Sequence, residues 1–436
     1  MKMCCTLVCF GLLAFTGHAA AQAGKHDERI KNDAKSIEEK VIAWRRDIHE
    51  HPELSNREFR TSKLVAEHLR SLRIEVQTGV AHTGVVGILK GGKPGPVVAL
   101  RADMDGLPVV EVVDLPYASK VKSTYNDQEV GVMHACGHDN HVAILMGTAE
   151  VLAGMKDDLQ GTVKFIFQPA EEGAPTGEEG GADMMVREGA LKNPDVDAIF
   201  GLHITQGWAV GEVAFRSMGM MASAQKFEIS VAGSQTHAAQ PWKGVDPIVV
   251  GSQIVLGLQT IASRQIDTTL APAIISIGTF HAGVRNNIIP DDVHMMGTIR
   301  TFDPGMKKQI HERIKRTATN IAQSAGATAE VTIYEGVPVT FNDPTLTNQM
   351  TPTLERVYGK DYIQEAPRVT GAEDFSFFQE EVPGFFFFIG RRPRDVPREE
   401  SIVNHSPKFY VDEAALLPGV RAMTSLAVDY LDMHAK

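Results

Sequence analysis

Short apolar runs that end in polar, reactive residues alternate along this chain with longer stretches of helical periodicity. That alternation narrows the fold more than any other feature. Residues 162–167 and 196–202 read as buried strands, and 138–155 and 184–188 as helices. Ahead of them, 36–72 holds two helical patterns broken at His51-Pro52. In the second, Phe59, Leu64, Val65, Leu69 and Leu72 recur at helical spacing. Strands alternating with helices imply an α/β domain with a mainly parallel sheet covered by helices on both faces. The runs 85–89 and 97–100 are separated by Gly91-Gly92-Lys93-Pro94-Gly95. That segment lacks G-x-G-x-x-G and leads into a strand, so it reads as a hairpin turn and not as a phosphate loop.

Around Ser217 the rhythm changes. A strand at 226–231, a helix at 248–261, strands at 273–280 and 294–299, a helix at 307–323 and a strand at 328–334 follow in β-α-β-β-α-β order, that of a ferredoxin-like α+β module. After Gly336 the chain returns to helices at 344–357 and 373–378 and an apolar strand at 385–389. The simplest account is one α/β domain formed by residues 24–216 and 335–436, with a module at 217–334 inserted into it.

The N-terminus reads as a segment to be removed. Lys2 precedes an apolar run from Met3 to Phe15 and then Ala19-Ala20-Ala21-Gln22-Ala23. A basic start, a short apolar core and an A-x-A site are the pattern of an export signal, here residues 1–23. The run falls short of the roughly 20 apolar residues that span a bilayer, and no second stretch of spanning length follows. The expected location is periplasmic or secreted, without a membrane anchor once the signal is gone. Of four cysteines, Cys4, Cys5 and Cys9 leave with the signal, so Cys136 remains alone and no internal disulfide can form. A lone thiol kept in an oxidising compartment calls for burial, a metal or nucleophilic chemistry. The formal charge of −11 argues against nucleic-acid binding, which needs excess cations to neutralise phosphates.

The strand ends carry the chemistry. Arg101-Ala102-Asp103-Met104-Asp105 closes one predicted strand, where ligands gather in open α/β sheets. Asp103 and Asp105 read equally as partners that orient metal ligands and as turn caps. Cys136-Gly137-His138-Asp139-Asn140-His141 is the densest cluster. A thiolate and an imidazole two residues apart can reach one ion, Gly137 permits the tight approach, and His141 falls on the following helix as a helper. A cysteine nucleophile activated by histidine, and an inert buried cysteine beside capping residues, are the other readings. This segment alone leaves all three open. Glu171 and Glu172 follow the strongest apolar strand and point different ways, so one can bind a metal while the other moves protons. Gly201-Leu202-His203 ends another apolar strand, and His405 sits in a loop near the C-terminus. Three strand ends each presenting a donor favour a metal site over isolated surface residues.

The segments LRADMD, MHACGHDNH, FQPAEEG, GLH, THAAQP, NIIPDD, GTIRT, GAEDFSFF and NHSPKF occur in the order found in the aminoacylase/carboxypeptidase family of metallo-amidohydrolases, peptidase family M20. More narrowly, the chain resembles the branch that hydrolyses N-acyl amino acids, hippurate and auxin conjugates. The resemblance runs from about Arg45 to the C-terminus. It implies two divalent ions, Mn²⁺ or Zn²⁺, held by Cys136, His138, Glu172, His203 and His405, with Glu171 as general base and acid. It also implies that the inserted module is a lid and dimerisation domain. Its His237 would reach the partner subunit's site in a homodimer, with Asn287 and Arg300 holding the substrate carboxylate. Many relatives have glycine before the lid histidine and a histidine after the downstream proline. Thr236 and Trp242 stand there instead, which bears on substrate size, Trp242 offering either an aromatic surface or core packing.

The expected reaction is hydrolysis of a small N-acyl or N-aroyl amino acid. Carboxypeptidase or dipeptidase action at the same site is the alternative. A Cys136-dependent hydrolase and a non-catalytic periplasmic binding protein are the more distant rivals.

Overall fold

The computed structural model describes residues 24–435. The expected export signal at 1–23 lies outside the described residues. The described chain divides into two compact units. One holds the residues up to Ala214, Thr345–Gln364 and those from Phe386 onward; the other holds Phe215–Pro344 and Glu365–Phe385.

The first unit is built on an eight-stranded sheet. Its strand order is Glu75–Val80, Gly84–Lys90, Gln160–Gln168, Lys93–Asp103, Ala198–Ala209, Gly384–Arg392, Val213–Phe215 and Ile363–Glu365. The three strands that bear on the site run parallel, Ala99 opposite Lys164 and Leu100 opposite Phe200. Antiparallel pairs flank them. Gln160–Gln168 is buried at almost every position, which requires cover on both faces of the sheet.

The turn at Gly91 is a correction to the sequence reading. Gly84–Lys90 and Lys93–Asp103 are not a hairpin, because Gln160–Gln168 lies between them, antiparallel to the first and parallel to the second. The connection crosses the start of that middle strand, with the Gly91 N–H on the Gly161 carbonyl at 2.8 Å. A Cβ on Gly91 would meet the Leu159 carbonyl oxygen at 2.5 Å, and one on Gly92 the Asp157 carbonyl oxygen at the same distance. The glycines therefore serve close backbone approach, a role that looks the same in sequence as a tight turn.

The helix His138–Gly154 is apolar nearly all round and buried along almost its whole length, as such a helix must be. It packs against Glu38–Glu50, Leu416–His434 and the strand Lys93–Asp103. Gly137 enters it at φ +102°, and a Cβ there would lie 2.4 Å from Ile204 Cγ2, so only glycine fits.

The second unit carries an antiparallel sheet in the order Ala273–Ala282, Asp292–Thr301, Ala224–Ala232, Thr328–Val337. Phe227, Ile229 and Val231 alternate into its core. The helix Pro304–Ser324 adds Ile310, Ile314, Ala318 and Ala322 at four-residue spacing. Asp246 and Asp303 cap the helices Pro247–Thr260 and Pro304–Ser324, each ahead of a proline. The order is that of a ferredoxin-like α+β module.

Candidate active site

Donor atoms from four separate segments of the first unit converge. Cys136 Sγ lies 3.3 Å from His203 Nε2 and 3.3 Å from His405 Nε2. Glu172 Oε1 is 3.0 Å from the same His405 nitrogen. His138 Nε2 faces Asp103 Oδ2 at 3.8 Å, Glu171 Oε2 at 3.8 Å and Glu172 Oε1 at 4.0 Å. All five expected ligands and Glu171 are thus brought into one cluster.

Hydrogen bonds fix which ring nitrogens hold lone pairs. The Ile204 carbonyl, 2.7 Å from His203 Nδ1, can only accept, so His203 is protonated there and its Nε2 lone pair faces the thiol. His138 Nδ1 is 3.2 Å from Asp105 Oδ1 and donates to it. His138 Nε2, turned into the cluster, is buried with no hydrogen-bond partner among the described residues, and the Asp103 and Asp105 carboxylates raise the ring's proton affinity well above the usual imidazole range while no cation is present. A buried imidazole nitrogen ringed by carboxylate oxygens at these distances fits a site for a cation, which would take the place of the ring proton. Two atoms each about 2.0–2.3 Å from one ion stand on the order of 3–4.5 Å apart, the spacing seen here. Cys136 belongs to two donor sets, one with His138 and His203 and one with Glu172 and His405, so these residues could hold two ions. Burial and the Glu172 carboxylate push the Cys136 thiol up, so a thiolate here requires an adjacent cation. Mixed sulfur, nitrogen and oxygen donors fit a divalent transition metal.

His141 is not available to an ion. Its Nδ1 donates to Asp103 Oδ1 at 2.6 Å, and its Nε2 accepts the Ile204 N–H at 2.9 Å. It ties the helix His138–Gly154 to the backbone beside His203. Asp103 also accepts from Arg101 Nη1 at 2.7 Å, and Arg101 Nε donates to Gln168 at 2.8 Å. Asp105 accepts the backbone N–H groups of Glu171 and Glu172, each at 3.1 Å, and the Ser55 hydroxyl at 2.8 Å. The two aspartates therefore hold ligand side chains and ligand-bearing backbone, beyond the capping of their own turn.

Several residues of this framework escape sequence reasoning. Arg45 Nε donates to Asp139 Oδ2 at 2.8 Å, and His49 Nδ1 lies 2.9 Å from the same oxygen, all fully buried. They tether the start of the ligand helix to Glu38–Glu50. Arg391, 2% exposed, donates to the carbonyls of Ile402 and Tyr410 and stacks on Phe409 at 4.3 Å. It braces the loop where His405 is held at φ +66° and Asn404 donates to the Cys136 carbonyl at 3.3 Å. The only signal in the sequence is an arginine within an apolar strand, which an edge position explains equally well.

In the second unit, His237 pairs with Ile288 across a two-stranded ladder, and the Ala238 N–H donates to the Asn287 carbonyl at 3.1 Å. His237 and Asn287 are therefore neighbours, both exposed. Arg300 stands opposite Ile274, at the far end of Asp292–Thr301 from that pair, and is not brought to them. Trp242 is 76% exposed, which removes the core-packing reading.

The model of peptidase family M20/M25/M40 matches residues 99–429. The chain belongs to this family. Among its relatives, Thermostable carboxypeptidase 2 of Saccharolobus solfataricus is 44% identical over 92% of this chain and 98% of the relative. N-acetylcysteine deacetylase of Bacillus subtilis is 39% identical over 91% and 98%. A crystal structure of the Bacillus subtilis YXEP protein, described as a dinuclear metal binding peptidase from the M20 family, superposes with a TM-score of 0.75 at 36% identity. It covers 92% of this chain and 99% of that one. As an M20 member the protein is a hydrolase that acts on amide bonds with divalent metal.

Proposed function

We propose that the protein hydrolyses N-acyl or N-aroyl amino acids, releasing a carboxylic acid and a free amino acid. Cys136, His138, Glu172, His203 and His405 would hold two ions, Mn²⁺ or Zn²⁺, both compatible with these donor types. The observation that carries the reading is a metal-donor cluster with a second carboxylate beside it, Glu171 Oε2 lying 3.8 Å from His138 Nε2. When bound, the ions acidify a water and stabilise the oxyanion of the tetrahedral intermediate. Glu171 takes the water proton on a carboxylate oxygen and returns it to the leaving nitrogen. His237 Nδ1 accepts the Ala239 N–H at 3.0 Å, so the neutral ring carries its proton on Nε2 and can donate to the oxyanion. Asn287, and Arg300 as a more distant candidate, would bind the substrate carboxylate.

A carboxypeptidase reading is favoured by the higher identity to a relative so named, 44% against 39% for the deacetylase. A panel of N-acetyl, N-benzoyl and indole-acyl amino acids beside dipeptides and longer peptides separates the two. Acyl amino acids should give the highest kcat/KM; preference for peptides would transfer the assignment.

The second unit exposes Val249, Leu256 and Trp242, which supports its pairing with a second copy that contributes His237 in trans. Mixing inactive His237→Ala with inactive Glu171→Gln should then restore roughly a quarter of wild-type activity, the share expected for random dimers with one intact site in two. No recovery on mixing would exclude the trans arrangement. We also propose export to the periplasm or beyond, on the sequence pattern of residues 1–23 alone; an exported chain that does not begin after Ala23 would count against it.

A further inference from the structure

Glu171 and Glu172 are placed by a backbone turn that is unfavourable on its own. Ala170, just before them, sits at φ +52°, in the left-handed region that a residue with a Cβ avoids. Such a conformation persists where the surroundings over-determine it. Here three successive amides are each taken by a carboxylate. The Ala170 N–H donates to Glu58 Oε1 at 2.9 Å, and those of Glu171 and Glu172 to Asp105 at 3.1 Å. Consecutive converging N–H groups form a cradle for an anion. In this protein two side chains from distant segments fill it.

Glu58 is the unexplained member. It lies at the N-terminal end of the helix Phe59–Ser71, is fully buried, and belongs to none of the metal-donor groups among the described residues. Its other oxygen accepts from Thr83 Oγ1 at 2.5 Å, so both oxygens are committed. Burying a carboxylate beside a second one, Asp105, is costly, and together they push its pKa up to about 8. The segment it closes is directed at the same region. Ser55 donates to Asp105 at 2.8 Å, and Asn56 Nδ2 to the Glu179 carbonyl at 2.9 Å.

We propose that Glu58 is a positioning residue for Glu171, its carboxyl group clamping the left-handed Ala170 turn from which the two glutamates project. The proposal rests on the assignment of Glu171 as the base. It concerns geometry: without Glu58 the Ala170 amide is buried unpaired, the turn relaxes towards a conformation alanine prefers, and Glu171 shifts.

The test uses the full-length, metal-loaded protein and the best N-acyl amino acid of the panel, reading kcat, KM, bound metal and thermal midpoint. Glu58→Gln keeps an oxygen for Ala170 N–H and an amide for the Thr83 hydroxyl, so kcat should stay within about threefold of wild type. Glu58→Ala should lower kcat about 10- to 100-fold at nearly constant KM, the cost of a misplaced group. Ala170→Gly added to Glu58→Ala should recover about fivefold or more, because glycine tolerates the left-handed turn unaided. Loss in Glu58→Ala with no rescue by either Gln or Ala170→Gly would overturn the proposal, as would unchanged kcat in Glu58→Ala. If Glu58→Ala fails to fold, Thr83→Val decides, since it frees one Glu58 oxygen. A selective fall in kcat of about threefold or more supports the clamp, and an unchanged kcat refutes it. Active Glu171→Gln would instead remove the parent assignment, whatever Glu58 does.

Discussion

Glu171→Gln is expected to lower kcat by about 10²–10⁴-fold, the usual contribution of a positioned general base. Bound metal and thermal midpoint should stay at wild-type values. The substitution is nearly isosteric, and the hydrogen bond that residue 171 makes to Asp105 comes from its main chain, which the change leaves intact. The amide, however, cannot take a proton from water or return one to nitrogen. Glu172→Gln makes the contrast. That carboxylate lies 3.0 Å from His405 and shares a donor set with Cys136, so its loss should appear first as lost metal. Steady-state kinetics beside elemental analysis of both variants separates the roles. If Glu171→Gln turns over substrate normally, proton transfer belongs to another group; if it loses metal, Glu171 is a ligand.

Strand–helix alternation and the β-α-β-β-α-β order are periodicities, and both are present in the structure. Donors at strand ends were legible because strand ends of an open sheet face a common edge. Strand order was not legible. The glycines at 91 and 92 read as a turn, and nothing local records that Gln160–Gln168 passes between the flanking strands. The framework behind the ligands was equally hidden. Arg45, Glu58 and Arg391 act through partners about 90, 110 and 10 residues away in sequence, across contacts that no spacing rule reaches. The role of Asp105 was half visible: its place after a strand suggested a partner to a ligand, but its grip on the backbone of two consecutive glutamates needed coordinates.

Removing the divalent ions should abolish turnover and lower the thermal midpoint by several degrees, with Mn²⁺ or Zn²⁺ restoring both. The cluster collects Cys136, His138, Glu171, Glu172, His203 and His405 beside the buried Asp103 and Asp105, an acid-rich group that dications neutralise. A ligand at a thousandfold excess over its Kd stabilises the folded state by about 4.1 kcal/mol. The effect should depend on pH with a definite sign. Without a cation, burial and Glu172 push the Cys136 thiol up, while hydrogen bonds to Cys136 and Glu172 raise His405 to about 10. Both groups must give up protons to become ligands, so metal binding releases protons and apparent affinity falls as pH is lowered. Titrating metal into chelator-treated protein across a pH series, with proton release followed in weak buffer, measures this directly. The same samples address the thiol chemistry that the sequence left open. If Cys136 is a ligand, bound metal protects it from alkylation, and the chelated protein is inactive before any alkylating agent is added. Full activity after exhaustive chelation, lost only on alkylation, would make Cys136 the nucleophile and remove the ions from the reaction.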